Sequence, residues 1–394
     1  MKIVDLSVYG VHPARSAGHL AILEPLRHMC GLGHEVEILS LGLRSFERRL
    51  PRRFEVQIER GLRETRLVSA LGLIKAQLLG KTRFPPIHAS REFDRRCRTE
   101  DRARIAAADL VIIESPWAHA FARATTEAPI LWIAHNQEAR LHEKVLREAG
   151  LLALAQEIEA RCFQDSDLVL ALHQEDAAGL RNSHGDREGP LEVLPLGCEI
   201  HPRTTRERRL SARARLGIPE GVRLALFAGS AHAPNVQAAE RLEALAPEMA
   251  EIGWEILIAG SVRKSPKRMR GGSATGPLED LSDCYEASDL AVNPVESGSG
   301  MNVKNLHALA RGLPVLCSKV GARGFESGEE RGLLEVETED LCALLADLSS
   351  NPSRLESLGR AAHQTALDLY SWPAIVRARL ATISAHLSPD TAAR

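Results

Sequence analysis

Short continuous apolar runs recur along the chain, each closed by turn-forming residues, with stretches of helical period between them. They include "KIVDLSVYG" at the start, "HEVEILSL" at 34–41, "PILWIAH" at 129–135, "VRLALFAG" at 222–229 and "WEILIAG" at 254–260. Three more share a preface of one small residue and an aspartate: Ala108-Asp109 before LVII, Ser166-Asp167 before LVLAL, and Ser288-Asp289 before LAVNP. Continuous rather than alternating apolar character is the mark of a strand covered on both faces. The intervening segments read as helices, as in "AGHLAILEPLRHMCGLG", where Gly31 and Gly33 suit a C-terminal stop. Strands alternating with helices predict an α/β protein with parallel sheets, and the runs are too many for one doubly wound sheet but right for two.

Composition adds limits to this picture. A chain of 394 residues exceeds one ordinary core and suits two domains. With 44% hydrophobic residues, 26% charged residues and a net charge of −2, neither disorder nor bulk nucleic-acid binding is favoured. The start lacks the apolar core and cleavage site of a signal peptide, and no apolar stretch reaches transmembrane length. The seven cysteines are odd in number, scattered and never spaced CxxC, against a disulfide framework or a zinc site. The 15 histidines form no HExxH, so no metal is expected and most histidines read as structural. The expectation is a soluble, reduced, cytoplasmic protein.

A boundary is predicted after "LEVLPLGCEI" (191–200), because "HPRTTRERRLSARARLGIPEG" is polar, basic and proline-bearing, a linker near 200–220. Residues 44–104 stand apart as locally cationic, with Arg48-Arg49, Arg52-Arg53 and Arg95-Arg96. Within them, 62–84 shows apolar residues at helical spacing beside Arg63, Arg66, Lys75, Lys81 and Arg83. Two readings fit: a helix on the anionic inner face of a membrane, or an amphipathic helix packed on its own domain with a solvated basic face.

The chemistry points to "ESGSGMNVKNLHALARGLPVL" (296–316), a glycine-rich turn after the strand 289–294, then a helix from about Asn302 to Arg311, stopped by Gly312 and Pro314. Such a turn aims backbone amides at one spot, Gly298 and Gly300 let a ligand approach the main chain, and Lys304 adds a full charge. An anion suits it, most simply a phosphate or diphosphate; a tight connection with a stray lysine is the plain alternative. It is neither a Walker A loop nor a dinucleotide fingerprint, since no lysine follows a glycine in the required frame and Val303 takes the third glycine position.

Four ordered segments, "LFAGSAHAPNVQAAERL" (226–242), "LIAGSV" (257–262), "GPLEDLSDCYEASDLAVNPVESGSGMNVKNLHALARGLPVLCSKVGARGF" (276–325) and "YSWPAI" (370–375), resemble the donor half of retaining glycosyltransferases of the GT-B fold, family GT4 (glycosyl transferases group 1), in its GSG-type branch. "SAGHLAILEPLRHMCGLGHEVEILSLG" (16–42), "AHNQEARL" (134–141) and "LEVLPLGCEI" extend the likeness to the first half. The resemblance implies two Rossmann-like domains with parallel sheets facing a central cleft: an acceptor domain, 1–200, to which the C-terminal helix 372–394 crosses back, and a donor domain, 201–371. It implies that the backbone from Gly298 through Ser299, Gly300, Met301 and Asn302, with Lys304, holds the diphosphate of a nucleotide sugar. Gly229 and Ser230 would border it, the main chain at Leu278 would lie beside the base, His135 would face the transferred sugar, and Gly18 would sit in a loop closing over the donor. The nucleotide sugar is a co-substrate, no resident cofactor is implied, and the leaving phosphate itself takes the acceptor's proton.

The chain departs from the family where many relatives carry two glutamates: Ser299 and His307 stand at those places. His307 could donate to a ribose hydroxyl, or the ribose is held differently. Glu296 reads either as a group reaching the sugar or as a solvated loop acid. His135 lies just past a buried strand, where ligands of open α/β sheets gather, though a histidine bonded to backbone explains it without catalysis. Trp117 and Trp132 read as core or cleft-wall aromatics. The leading expectation is sugar transfer to a cell-envelope, polysaccharide or other hydroxyl acceptor. A GT-like partner subunit without turnover and a nucleotide-sugar 2-epimerase are the other readings.

Overall fold

The computed structural model describes residues 1–14, 16–42, 53–68, 85–298 and 300–387. The chain divides into two compact units, Met1–Leu196 together with Ile375–Arg394, and Gly197–Ala374. In the first unit the strands are β1 (Lys2–Ser7), β2 (Glu35–Gly42), β3 (Arg53–Glu59), β4 (Leu62–Val68), β5 (Leu110–Ile113), β6 (Ile130–Ala134), β7 (Leu168–Ala171) and β8 (Leu191–Val193). They form one sheet in the order β3-β4-β2-β1-β5-β6-β7-β8, parallel throughout except for the β3–β4 pair. The second unit holds β9 (Arg223–Ala228), β10 (Trp254–Ala259), β11 (Lys267–Met269), β12 (Gly272–Ala274), β13 (Leu290–Asn293), β14 (Val315–Cys317) and β15 (Leu333–Glu335). Their order is β11-β12-β10-β9-β13-β14-β15, with only β11–β12 antiparallel.

The recurrent aspartate now has a cause. The Asp109 carboxylate accepts the N–H of Lys2 at 2.7 Å, and its own N–H donates to the Lys2 carbonyl at 2.8 Å. Asp167 does the same with Ile130, and Asp289 with Leu224. Each residue precedes a strand while satisfying a donor at the start of the strand beside it, the first residue in β1 and β6 and the second in β9. The preceding serines, Ser166 and Ser288, turn their hydroxyls back to the carbonyls of Cys162 and Cys284 and close the helix before.

Both sheet faces are covered, as continuous apolar strands require. On one face of the first sheet Ile3, Ile38, Ile112, Ile133 and Leu170 meet the helix Ala17–Gly31 and, from the C-terminal helix Trp372–Leu387, Val376 and Ile383. On the other, Val4, Val111, Trp132 and Val169 lie with Phe93, Trp117, Phe121 and Phe163, so both tryptophans are core residues. His119 is buried, and burial holds its ring down at about 4. His173 caps the helix Gln174–His184 and faces Asp176.

Two expectations fail. Residues 62–68, read as the start of a helix, are strand β4. Their charges are not a solvated face: Glu64 is fully buried, bonded to Arg66 at 2.8 Å and to the amides of Val11 and His12. A buried, mutually neutralised pair has the same letters as a wet basic face, and only sheet pairing tells them apart. The remainder of that segment, 69–84, lies outside the described residues, and the membrane reading with it. The stretch read as a linker contains the helix Arg206–Leu216, capped by the Thr205 hydroxyl and stopped at Gly217. Its Arg213 is buried against Asp289 and three carbonyls. No described helix is long and apolar enough to cross a membrane.

In both sheets the strand order reverses beside a central strand, between β1 and β5 and between β9 and β13. Ligands of open parallel sheets gather outside the carboxyl ends of strands at such points.

Candidate functional site

In the second unit the loops leaving β9 and β13 lie at that reversal. Gly229 follows β9, its N–H bonded to the Ala259 carbonyl and its own carbonyl to the Val262 amide. A side chain there would press on Asn235 at 3.2 Å. Asn235, in the first turn of the helix Ala233–Glu251, donates from its amide nitrogen to the Ser230 carbonyl and hydroxyl. Its Oδ1 accepts from Lys304 Nζ at 2.5 Å.

Lys304 sits in the seven-residue helix Val303–Leu309 that follows the glycine-rich turn. Its ammonium lies 4.8 Å from the centre of the Phe227 ring, a cation–π contact. Among the described residues no carboxylate pairs with it, and burial pulls its ammonium down to about 8. At neutral pH the group is still charged, held by a neutral amide oxygen and an aromatic face. A half-buried cation without a counter-ion is costly unless an anion arrives.

The turn itself is built to stay open. Gly298 and Gly300 adopt φ of +134° and +73°, where a side chain is strained. The Gly298 carbonyl accepts from Arg323 at 2.6 Å, and Asn302 donates to the Val320 carbonyl. Beneath it, Asn293 at the end of β13 donates to Asn305 Oδ1, Asn305 donates to the Gly321 carbonyl, and the Ser318 hydroxyl donates to the Val295 carbonyl. A helix of two turns has little dipole to offer, so the full charges near the turn, Lys304 and Arg323, matter more than the helix end.

Leu278 is exposed in the segment after β12, on the same carboxyl edge of the sheet. His307 faces Tyr285 with ring centres 6.4 Å apart, and burial, then Arg311 and His201, hold it down at about 4, so it is neutral. Met301 is buried and touches the loop at Gly324. Ser299 lies outside the described residues. Glu296 is exposed and bonded to Arg241 at 2.5 Å, apart from the Lys304 network.

In the first unit His135 follows β6, and its Nε2 lies 2.5 Å from a Glu114 carboxylate oxygen just past β5. Gly18 is placed in the first turn of the helix Ala17–Gly31, not in a loop, beside the Ser16 cap and 3.5 Å from the Tyr9 hydroxyl for an added Cβ. Sequence reasoning missed Asn235, Asn293, Asn305 and Glu114. Their signal was present as polar residues at strand ends or in a helix otherwise destined for burial.

The architecture is that of a GT-B fold: the structure is similar to the sucrose-phosphate synthase of Thermosynechococcus elongatus, with TM-score 0.70, 17% identity and 98% and 99% of the two chains covered. It is also similar to Anabaena HepE in complex with UDP-glucose, with TM-score 0.65, 15% identity and 98% and 100% covered. Residues 222–351 match the family described as glycosyl transferases group 1, so the resemblance read from the sequence holds over the second unit. A D-inositol 3-phosphate glycosyltransferase of Nocardiopsis dassonvillei is 26% identical over 244 residues, which is 54% of this chain and 54% of that protein. The match thus spans about half the length of the curated relative.

Proposed function

We propose that the chain is a retaining glycosyltransferase that takes a sugar from a nucleoside diphosphate sugar and passes it to a hydroxyl acceptor, in a saccharide, a lipid-linked molecule or a small molecule. The observation that carries this reading is Lys304, a half-buried cation with no carboxylate partner among the described residues, beside a glycine-rich turn at the reversal of a parallel sheet. Support comes from the group 1 family match over 222–351 and from relatives named as glycosyltransferases.

In this chemistry the bond between the anomeric carbon and the diphosphate breaks, and its electron pair leaves on the phosphate oxygen. Lys304 and the amides of 298–302 stabilise that developing charge, which a pre-organised cation does without reorganising at the moment of reaction. The acceptor hydroxyl attacks the face the diphosphate leaves, and its proton passes to the departing phosphate. We assign His135 to the transferred sugar and the main chain at Leu278 and neutral His307 to the nucleoside.

Incubation with UDP-, GDP- and ADP-sugars, with and without acceptors, tests the reading. Donor-dependent product with retained anomeric configuration supports it. An epimer from donor alone would mark a 2-epimerase, and nucleotide binding without turnover a partner subunit.

A further inference from the structure

Asp5, Glu114 and Arg379 are buried together in the first unit, next to His135. Register explains the meeting. Ile3 and Asp5, Ile112 and Glu114, and Ile133 and His135 each stand two residues apart on their strands, so all point to the face covered by the C-terminal helix. On that helix Val376, Arg379 and Ile383 follow helical spacing, which sets one buried guanidinium in an apolar stripe, near enough for its charge to act on both carboxyls.

Among the described residues neither Asp5 oxygen accepts a hydrogen bond from an N–H or O–H donor; what faces it is the Glu114 carboxyl. Two carboxyls in contact share a proton. Burial above all, then the charge of Glu114, holds Asp5 well above the usual carboxylate range. Burial also pushes Glu114 up, but the bond and charge of His135, and then Arg379, outweigh it and bring Glu114 below that range. That leaves the Glu114 carboxylate between the Asp5 carboxyl and the His135 ring. His135 sits on the rim, its side chain 18% exposed against 3% for Glu114, and among the described residues Glu114 is the side chain its ring bonds.

We propose that Glu114, buried and bonded to Nε2, is a positioning residue for His135, holding the neutral ring in the tautomer protonated on Nε2 and leaving Nδ1 open as an acceptor, with Asp5 and Arg379 packed around Glu114 on its buried side. Asp5 donates its proton to Glu114, Glu114 accepts from both sides, and Arg379 makes the C-terminal helix part of the arrangement. The consequence for sugar transfer rests on the function proposed above; the ring's protonation does not.

Nitrogen NMR of the ¹⁵N-histidine-labelled full chain, taken at alkaline pH where the ring signals no longer change with pH, reads the tautomer, with the His135 signals assigned by their loss in His135→Gln. The wild-type ring is expected with Nε2 protonated and Nδ1 bare, a pattern kept in Asp5→Asn, which mimics the acid already neutral. Glu114→Gln is expected to lose that single tautomer and to lower kcat by about ten- to a hundredfold with KM for the donor little changed. A wild-type ring protonated on Nδ1, or averaging between tautomers, overturns the proposal, as does a Glu114→Gln spectrum identical to wild type. The wild-type spectrum decides even if Glu114→Gln does not fold, and it decides even if no sugar is transferred.

Discussion

The two sheet edges treat charge in opposite ways. In the second unit Lys304 has a neutral amide and an aromatic ring for company, an ammonium with no counter-charge among the described residues. In the first unit Glu114, Asp5, Arg379 and His135 balance one another within a buried cluster. An unbalanced buried charge is expensive and implies that a ligand completes it, whereas a balanced cluster is complete in itself and serves to hold something still. The contrast separates a binding group from positioning groups without reference to any relative.

The largest effect expected from breaking it is at Lys304. Lys304→Ala should lower sugar transfer by about a hundred- to a thousandfold, the scale of losing one charge-stabilising group, while calorimetry shows a melting temperature equal to or above wild type. Loss of folding instead would make the lysine a structural residue. Next comes Asp289, the strand-opening aspartate of the second unit, which also pairs with buried Arg213. Asp289→Ala leaves that guanidinium short of its counter-charge and should cost about 3 kcal/mol in urea unfolding. Among the described residues its counterpart Asp109 makes the strand-edge bonds alone, and Asp109→Ala should cost about 1 kcal/mol. Equal losses at the two sites would mean that Arg213 is not held by Asp289.

The pH dependence sharpens the comparison further. Burial lowers the Lys304 ammonium from 10.5 to about 8, so the folded chain releases this proton before the unfolded chain does. Stability from this group is therefore lowest and constant below pH 8 and rises as pH climbs from about 8 toward 10.5. Ligand-free wild type should show that rise relative to Lys304→Met, and diphosphate binding should weaken over the same interval as the cation is lost. The smallest effect is expected at Glu296, an exposed partner of Arg241: Glu296→Gln should change activity by no more than about threefold. A much larger loss would bring Glu296 into the chemistry.

Much of the fold was legible in the chain because strands covered on both faces must be continuously apolar, and the aspartates before them mark where neighbouring strands begin. That rhythm predicted two parallel α/β sheets, and the GT-B architecture was implied by the family resemblance of the ordered segments at 226–242, 257–262, 276–325 and 370–375. Lys304 and its glycine turn stood out for the same local reason: charge and φ freedom are written at single positions. What escaped was long-range. Glu64 and Arg66 looked like a wet helix face because their neutralisation depends on a hairpin and on the amides of residues 11 and 12. Arg213 looked like part of a basic linker until Asp289, 76 positions away, gave it a buried partner. Glu114, Asp5 and Arg379 come from the beginning, the middle and the end of the chain, and no spacing rule connects them.

Calorimetric titration of UDP, GDP and ADP into wild type and Lys304→Ala tests the central claim most directly. Wild type is expected to bind one of these diphosphates at neutral pH, and folded Lys304→Ala to bind it at least about tenfold more weakly, 1.4 kcal/mol or more. Equal affinity in the two proteins would show that the anion sits elsewhere and would contradict the account.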